Sequence, residues 1–240
     1  MNREPLYKGK AKSVYRSEDA GELVVRFRDD ITAFDGEKKD ILPGKGMFNA
    51  AVSAFFFEYL ENHGIATHYI RMADERTMIV SELAMIPLEV IVRNRAAGSI
   101  VRRYPFTEGQ VLDPPVIVMD YKDDTRHDPM INDDIIVALG LLKREEIAAI
   151  RTMALEINRL LSGYFMEHGI NLVDFKIEFG KTDSAILLGD EISMDSMRLW
   201  DRETGESLDK DVYRFDKGDV LSAYGRVVQR IVPGYSGGRG

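Results

Sequence analysis

The 240-residue chain contains no cysteine. Disulfides, thiolate zinc centres and cysteine nucleophiles are therefore excluded, and the lack of thiols fits a reducing compartment. Any metal must be held by carboxylates or histidine, and carboxylates favour magnesium-like ions. No apolar run reaches the ~20 residues of a membrane span, and the opening MNREPLYKGK has no apolar core of a signal peptide. A cytoplasmic chain with no membrane partner is expected. A basic excess is also missing, since 32 Lys and Arg face 40 Asp and Glu, a net charge of −8. Nucleic acid is thus not an expected partner, although a small phosphorylated ligand needs only a local group of Arg and Lys.

What is present is ordinary for a globular protein, with 45% apolar and 30% charged residues, and the length suits one large domain or two lobes. KSVYR and ELVVRF flank a turn-like SEDAG and predict a hairpin. Phe48, Val52, Phe55, Phe56 and Tyr59 recur at helical spacing, with Gly64 as a stop. ATHYIRM and TMIVSEL predict a second hairpin. Farther on, IPLEVIVRN and PPVIVMDY read as strands, and RAAGSIVRRY between them as a short helix. Asn132 caps a further helix. The longest helix is expected from about Lys143 to His168, its buried stripe marked by Ile147, Ile150, Ala154, Ile157, Leu161 and Phe165. LVDFKIEF and SAILLGDE form a third hairpin, and DVLSAYGRVVQRIV a final helix. Hairpins mixed with separate helices indicate an α+β fold. The expected division is a β-rich lobe over 1–83, an α+β lobe over 84–232, and a disordered tail over 233–240.

Several stretches carry chemistry. In YKGKAKSVY, Gly9 lets the backbone approach a ligand, and Lys8, Lys10 and Lys12 surround it with charge. The same residues also suit a solvated edge strand with gatekeeping lysines. In LVDFKIEFG, Asp174, Lys176 and Glu178 share one face of a strand, opposite Val173, Phe175, Ile177 and Phe179. Asp190 and Glu191 return on the partner strand, so Glu178 and Asp190 come near each other and invite a divalent cation. An outer face carrying salt bridges is the other reading. VRNRAAGSIVRR sets Arg93, Arg95 and Ser99 at a strand end and a helix start, which suits a phosphate monoester. Arg198 in SMDSMRLWD, Arg214 in DVYRFDKG and His127 and Asp128 in RHDPMIND are weaker signals taken singly.

Taken together, YKGKAKSVY, TAFDG, GKGMFN, MIPLEVIVRNRAAGS, HDPM, LVDFKIEFG, LGDE and SMRLWD occur in an order that resembles the SAICAR synthetase family over nearly the whole chain. In SMDSMRLWD methionines stand where the resemblance leads one to expect a proline and a small residue. The resemblance implies a two-lobed α+β fold with ATP in the cleft between a small antiparallel N-terminal lobe and a larger C-terminal one. It implies ligation of L-aspartate to the carboxylate of CAIR, with ATP and Mg2+, in de novo purine synthesis, by a homodimer. By the same resemblance Lys10, Ala11, Lys12, Glu82 and Met85 contact ATP, and Glu178 and Asp190 hold magnesium on it. Arg93, Ser99, Arg198 and Arg214 hold the phosphoribosyl part of CAIR, and Lys12, Asp128 and Lys176 serve the chemistry. A kinase-like phosphotransferase without ligation and a non-catalytic nucleotide-binding module are the competing expectations.

Overall fold

A computed structural model of the protein describes residues 4–235. In chain order it runs β1 (Tyr7–Lys8), β2 (Lys12–Arg16), β3 (Glu22–Phe27), β4 (Asp30–Ala33), β5 (Lys38–Ile41), α1 (Lys45–Glu61), β6 (Tyr69–Asp74), β7 (Thr77–Ser81) and β8 (Ala84–Arg95). It continues with α2 (Ser99–Arg103), β9 (Val111–Tyr121), α3 (Asp133–Ala138), α4 (Arg144–Glu167), β10 (Ile170–Lys181), β11 (Ile186–Gly189), β12 (Met197–Asp201), α5 (Asp211–Arg214) and α6 (Val220–Ile231). Antiparallel sheets with separate helices make this an α+β fold, as expected. Among the described residues no helix is long and apolar enough to cross a membrane.

The contacts divide the chain into two units. The first takes the described residues up to Leu83, the short segment Ile192–Asp195 and the described chain from Ser207 onward; the second takes Ala84–Glu191 and Ser196–Glu206. The break between them falls after Leu83, and α5 and α6 group with the first unit. The reason is packing: α6 buries Val220, Ala223, Tyr224, Val227, Val228 and Ile231, and this apolar stripe lies on α1. Of the tail expected to be disordered, 236–240 lies outside the described residues.

In the first unit the sheet order is β1-β2-β3-β7-β6, and β4 and β5 pair apart from it. Phe56, Phe57 and Leu60 of α1 are fully buried, so this helix is apolar on more than one side. Gly46 in its first turn is required, because a Cβ there would stand 2.9 Å from the Phe27 carbonyl oxygen.

In the second unit the order is β11-β10-β8-β9, with β12 pairing the other end of β10. Antiparallel strands bury one face when it alternates with polar residues. Here Val173, Phe175, Ile177 and Phe179 of β10, with Leu88, Val90 and Val92 of β8, form the covered face. Helix α4 packs on it through Ile147, Ile150, Ala154, Ile157, Leu161 and Phe165, all buried as its periodicity predicts. Asn132 caps α3 by accepting from the Ile135 amide at 3.0 Å.

Candidate active site

Opposite α4, the other face of the second unit's sheet carries charge in rows. Glu178 on β10 lies opposite Glu89 on β8, and Glu89 opposite Asp120 on β9. Strands are about 5 Å apart, so three carboxylates stand in line, an arrangement that is unfavourable without cations. The cations come from the chain. Lys176, two residues along β10, donates to Glu89 at 2.5 Å and to Glu178 at 3.4 Å. Lys122, just past β9, donates to both oxygens of Glu178 at 2.7 and 2.6 Å. Burial works against the charge of each lysine. For Lys176 the acids Glu89, Glu178 and Asp190 outweigh it, and for Lys122 Glu178 and Asp190 do, so both ammonium groups are held above their ordinary value. Asp190 follows the residue opposite Glu178 and adopts a left-handed backbone with φ 60°. The pair Glu178 and Asp190 is therefore brought into one electrostatic neighbourhood, with ammonium groups already there.

Two residues farther along β10 the charges continue. Asp174 accepts from Arg93 at 2.6 Å and from Arg198 at 2.9 and 3.1 Å. Its register explains this: β8 presents Arg93 and β12 presents Arg198 opposite the same residue. Arg93 also donates to the Ser99 hydroxyl at 3.0 Å and to the Ala97 carbonyl at 3.2 Å. Burial lowers its guanidinium below the ordinary arginine value, against the pull of Asp174. Gly98 makes room for the second arginine. A Cβ at Gly98 would lie 2.5 Å from Arg198 Nη2, and its φ of 64° also favours glycine. Arg93, Ser99 and Arg198 thus form one cluster. Arg214 ends α5 in the first unit and pairs with Asp211.

Asp128 lies in the loop after β9, where His127 and Asp128 both have positive φ, 56° and 45°. Its carboxylate accepts from the Asp123 amide at 2.8 Å. Hydrogen bonds from Tyr121 N to Pro129 O and from Ile131 N to Met119 O pin this loop to β9. In the first unit, Lys10 and Ala11 form the turn between β1 and β2, and Lys12 opens β2 with its side chain largely covered. The Ala11 carbonyl accepts from Arg28 N at 2.7 Å. Glu82 and Met85 are exposed on either side of the break between units.

Reasoning from the strand pattern missed Glu89, Asp120 and Lys122. A signal existed for the first two: Glu89 interrupts one alternate set of β8, Glu89-Ile91-Arg93, and Asp120 ends the set Val116-Val118-Asp120 of β9. Lateral register, which makes them neighbours of Glu178, is not written in any single strand.

A carboxylate row cross-linked by lysines, beside an arginine–serine cluster, is suited to hold a polyanion together with a phosphate monoester. Residues 5–231 match the family model described as SAICAR synthetase. The phosphoribosylaminoimidazole-succinocarboxamide synthase of Methanoregula boonei is 66% identical over 226 residues, covering 94% of this chain and 88% of its own. Among solved structures, a SAICAR synthetase in complex with ADP aligns with a TM-score of 0.91 at 49% identity, over 94% of this chain and 96% of that one. The phosphoribosylaminoimidazole-succinocarboxamide synthase from Ehrlichia chaffeensis aligns with a TM-score of 0.93 at 38% identity, over 95% and 98%. The chain belongs to the SAICAR synthetase family.

Proposed function

We propose that the charged face of the second unit's sheet carries the chemistry of an ATP-dependent ligase that joins L-aspartate to the carboxylate of CAIR in purine biosynthesis. The ligase activity follows from family membership; the residue roles are our reading. The observation that carries them is the ordering of this face. An acidic row bridged by Lys122 and Lys176 suits a metal–triphosphate, and the cluster of Arg93, Ser99 and Arg198 suits the phosphate of the ribotide.

A carboxylate is a poor electrophile because oxide does not leave. Transfer of the γ-phosphoryl group of ATP to the CAIR carboxylate gives an acyl phosphate and ADP. The aspartate amine then attacks the acyl carbon, phosphate departs with the bonding electrons, and the amine loses a proton. Alignment of anions is the main task, since like charges ~4 Å apart at an effective dielectric of ~20 repel by about 4 kcal/mol. Lys176 is the cation nearest the acidic row and the candidate to steady the reacting carboxylate; Asp128 is the candidate to orient it from the pinned loop. Arg214, Lys10, Ala11, Lys12, Glu82 and Met85 keep the substrate and nucleotide roles that the family resemblance implies, Lys12 the catalytic one as well.

Magnesium fits the donor set. Glu178 and Asp190 are hard oxygen donors, and both oxygens of Glu178 already draw an ammonium ion. Magnesium is commonly held by one or two carboxylates together with substrate phosphates, which is the arrangement proposed for this pair. When bound, the ion would draw charge from the phosphate oxygens. A cytoplasmic homodimer completes the proposal, supported by the family resemblance.

The test is an assay with ATP and CAIR, with and without L-aspartate. Amide product that requires aspartate is expected. Full-rate ADP release without aspartate, and no amide, would instead indicate a kinase-like phosphotransferase. Glu178→Ala is expected to lower turnover about a hundredfold at limiting magnesium; unchanged turnover there refutes its metal role.

A further inference from the structure

Beside the arginine–serine cluster the second unit has a small, open hollow. Arg93, Ser99, Arg103, Tyr104, Asp120 and Met130 line it. Two of these residues have a buried polar atom with no hydrogen-bond partner: Asp120 Oδ1, an acceptor, and Arg93 Nε, a donor. Buried polar groups in folded proteins are nearly always paired, and leaving one unpaired is costly. One unmatched donor and one unmatched acceptor, on two residues that line a common hollow, describe the complement of a ligand that presents both an oxyanion and a hydroxyl.

From this we infer that Asp120 is a specificity-determining residue that accepts a hydrogen bond from a ribose hydroxyl of the ribotide substrate. The inference rests on the reading of Arg93 and Ser99 as the phosphate site and extends it to the sugar. Four features support it. Asp120 is directly opposite Glu89 on the face that carries Glu178 and Lys176, so it belongs to the same working surface. Its backbone is clamped between β8 and the loop at Met130, which fixes the point from which the side chain starts. Burial, then the charge of Glu89, raises its pKa, while Arg103 and Arg93 pull the other way. Those two arginines also make the hollow a poor host for the ammonium of an amino acid, leaving a neutral hydroxyl as the suitable donor. A phosphate pocket alone accepts many monoesters. A carboxylate lining the same hollow rejects those without the hydroxyl, because its own acceptor would then stay unmatched.

The purified enzyme decides the matter with CAIR and its 2′-deoxy and 3′-deoxy analogues at saturating ATP and aspartate. For the wild type, kcat/KM is expected to fall about tenfold to a hundredfold for one of the analogues. Asp120→Ala is expected to lose a similar factor with CAIR itself, to treat CAIR and that analogue alike, and to keep its KM for ATP. The near-isosteric Asp120→Asn serves if the alanine variant does not fold; its selectivity is expected to narrow. A wild type indifferent to both deoxy sugars, or variants that discriminate as the wild type does, overturns the inference. Ser99→Ala, run in parallel, tests the underlying reading separately. If it raises the ATP requirement instead of the CAIR requirement, the phosphate site is misassigned, while the deoxy comparison still decides Asp120.

Discussion

Asp195 in the first unit and Asp120 in the second are both shielded carboxylates, and their surroundings differ in kind. Asp195 is saturated. One oxygen accepts from Lys45 at 2.5 Å and from Asn49 at 2.8 Å, the other from Tyr224 at 2.7 Å. Burial pushes its pKa up, but Lys45, Lys210 and the hydrogen bonds of Lys45 and Tyr224 prevail and hold it well below the ordinary carboxylate range. Asp120 has a covered oxygen with no donor and a pKa displaced upward. The first arrangement joins α1, the segment before β12 and α6, and gives each oxygen of the carboxylate a donor from within the chain. The second is incomplete until something enters. Charge that stabilises a fold is matched within the chain, whereas charge that serves a ligand is left partly unmatched, at a cost in stability.

The comparison breaks most directly at Lys45. Its side chain is fully buried, and Asp195 is nearly so. Lys45→Met strands a buried carboxylate, a change that typically costs about 3–5 kcal/mol. The expected outcome is a loss of that order in urea unfolding at neutral pH. Asp195 has a depressed folded pKa, so its contribution is present above the unfolded value of about 3.8 and is lost as pH falls below it. The gap between wild type and variant is therefore expected to narrow in acid. A loss under about 1 kcal/mol would mean that the cluster is no more than a surface pair in effect.

A smaller effect is expected at Asp174, the member of the second unit's face that does resemble Asp195. It is buried and holds Arg93 and Arg198 side by side. Asp174→Asn leaves two guanidinium groups without their shared counter-ion, but Arg198 is partly open to water, which screens the repulsion. A loss of about 2 kcal/mol is expected, together with a raised CAIR requirement and an unaltered KM for ATP. If stability falls and CAIR use does not change, Asp174 belongs with Asp195 as a purely structural acid.

These residues also mark how far the sequence could be read. The periodicity of α4 named its buried stripe, and the alternation of β10 named Asp174, Lys176 and Glu178 as one row. Strand β12 is only five residues long, and its alternate buried positions Met197, Leu199 and Asp201 include an acid, which weakens its apolar alternation. The β4–β5 ribbon gave little to read, since KKDI is short, polar and exposed. The docking of α6 on α1 and the pairing of Lys45 with Asp195 join residues about 150 positions or more apart, and nothing local encodes such contacts. Lys45 did leave a trace: it is a lone cation in the first turn of an apolar helix. Such a residue is expected to have a buried counter-ion somewhere.

The smallest effect has the opposite sign. If Asp120 is left unmatched for the sake of a ligand, then neutralising it should stabilise the empty protein. Its folded pKa is raised, so the linkage runs contrary to that of Asp195. The contribution of Asp120 to stability is fully present below its unfolded pKa of about 3.8 and is lost as pH rises through the higher folded value. At neutral pH Asp120→Asn is therefore expected to gain stability, and the gain is expected to vanish in acid. The residue as a whole is only half-buried, so solvent screening keeps the gain below about 1 kcal/mol. Urea unfolding at pH 7 and pH 4 reads the difference, and saturating CAIR should reverse the ranking, since a carboxylate accepts from a hydroxyl more strongly than the neutral amide oxygen of asparagine does. A variant less stable than the wild type at pH 7 in the absence of CAIR would put Asp120 in the same class as Asp195, and the contrast between matched and unmatched acids would fail.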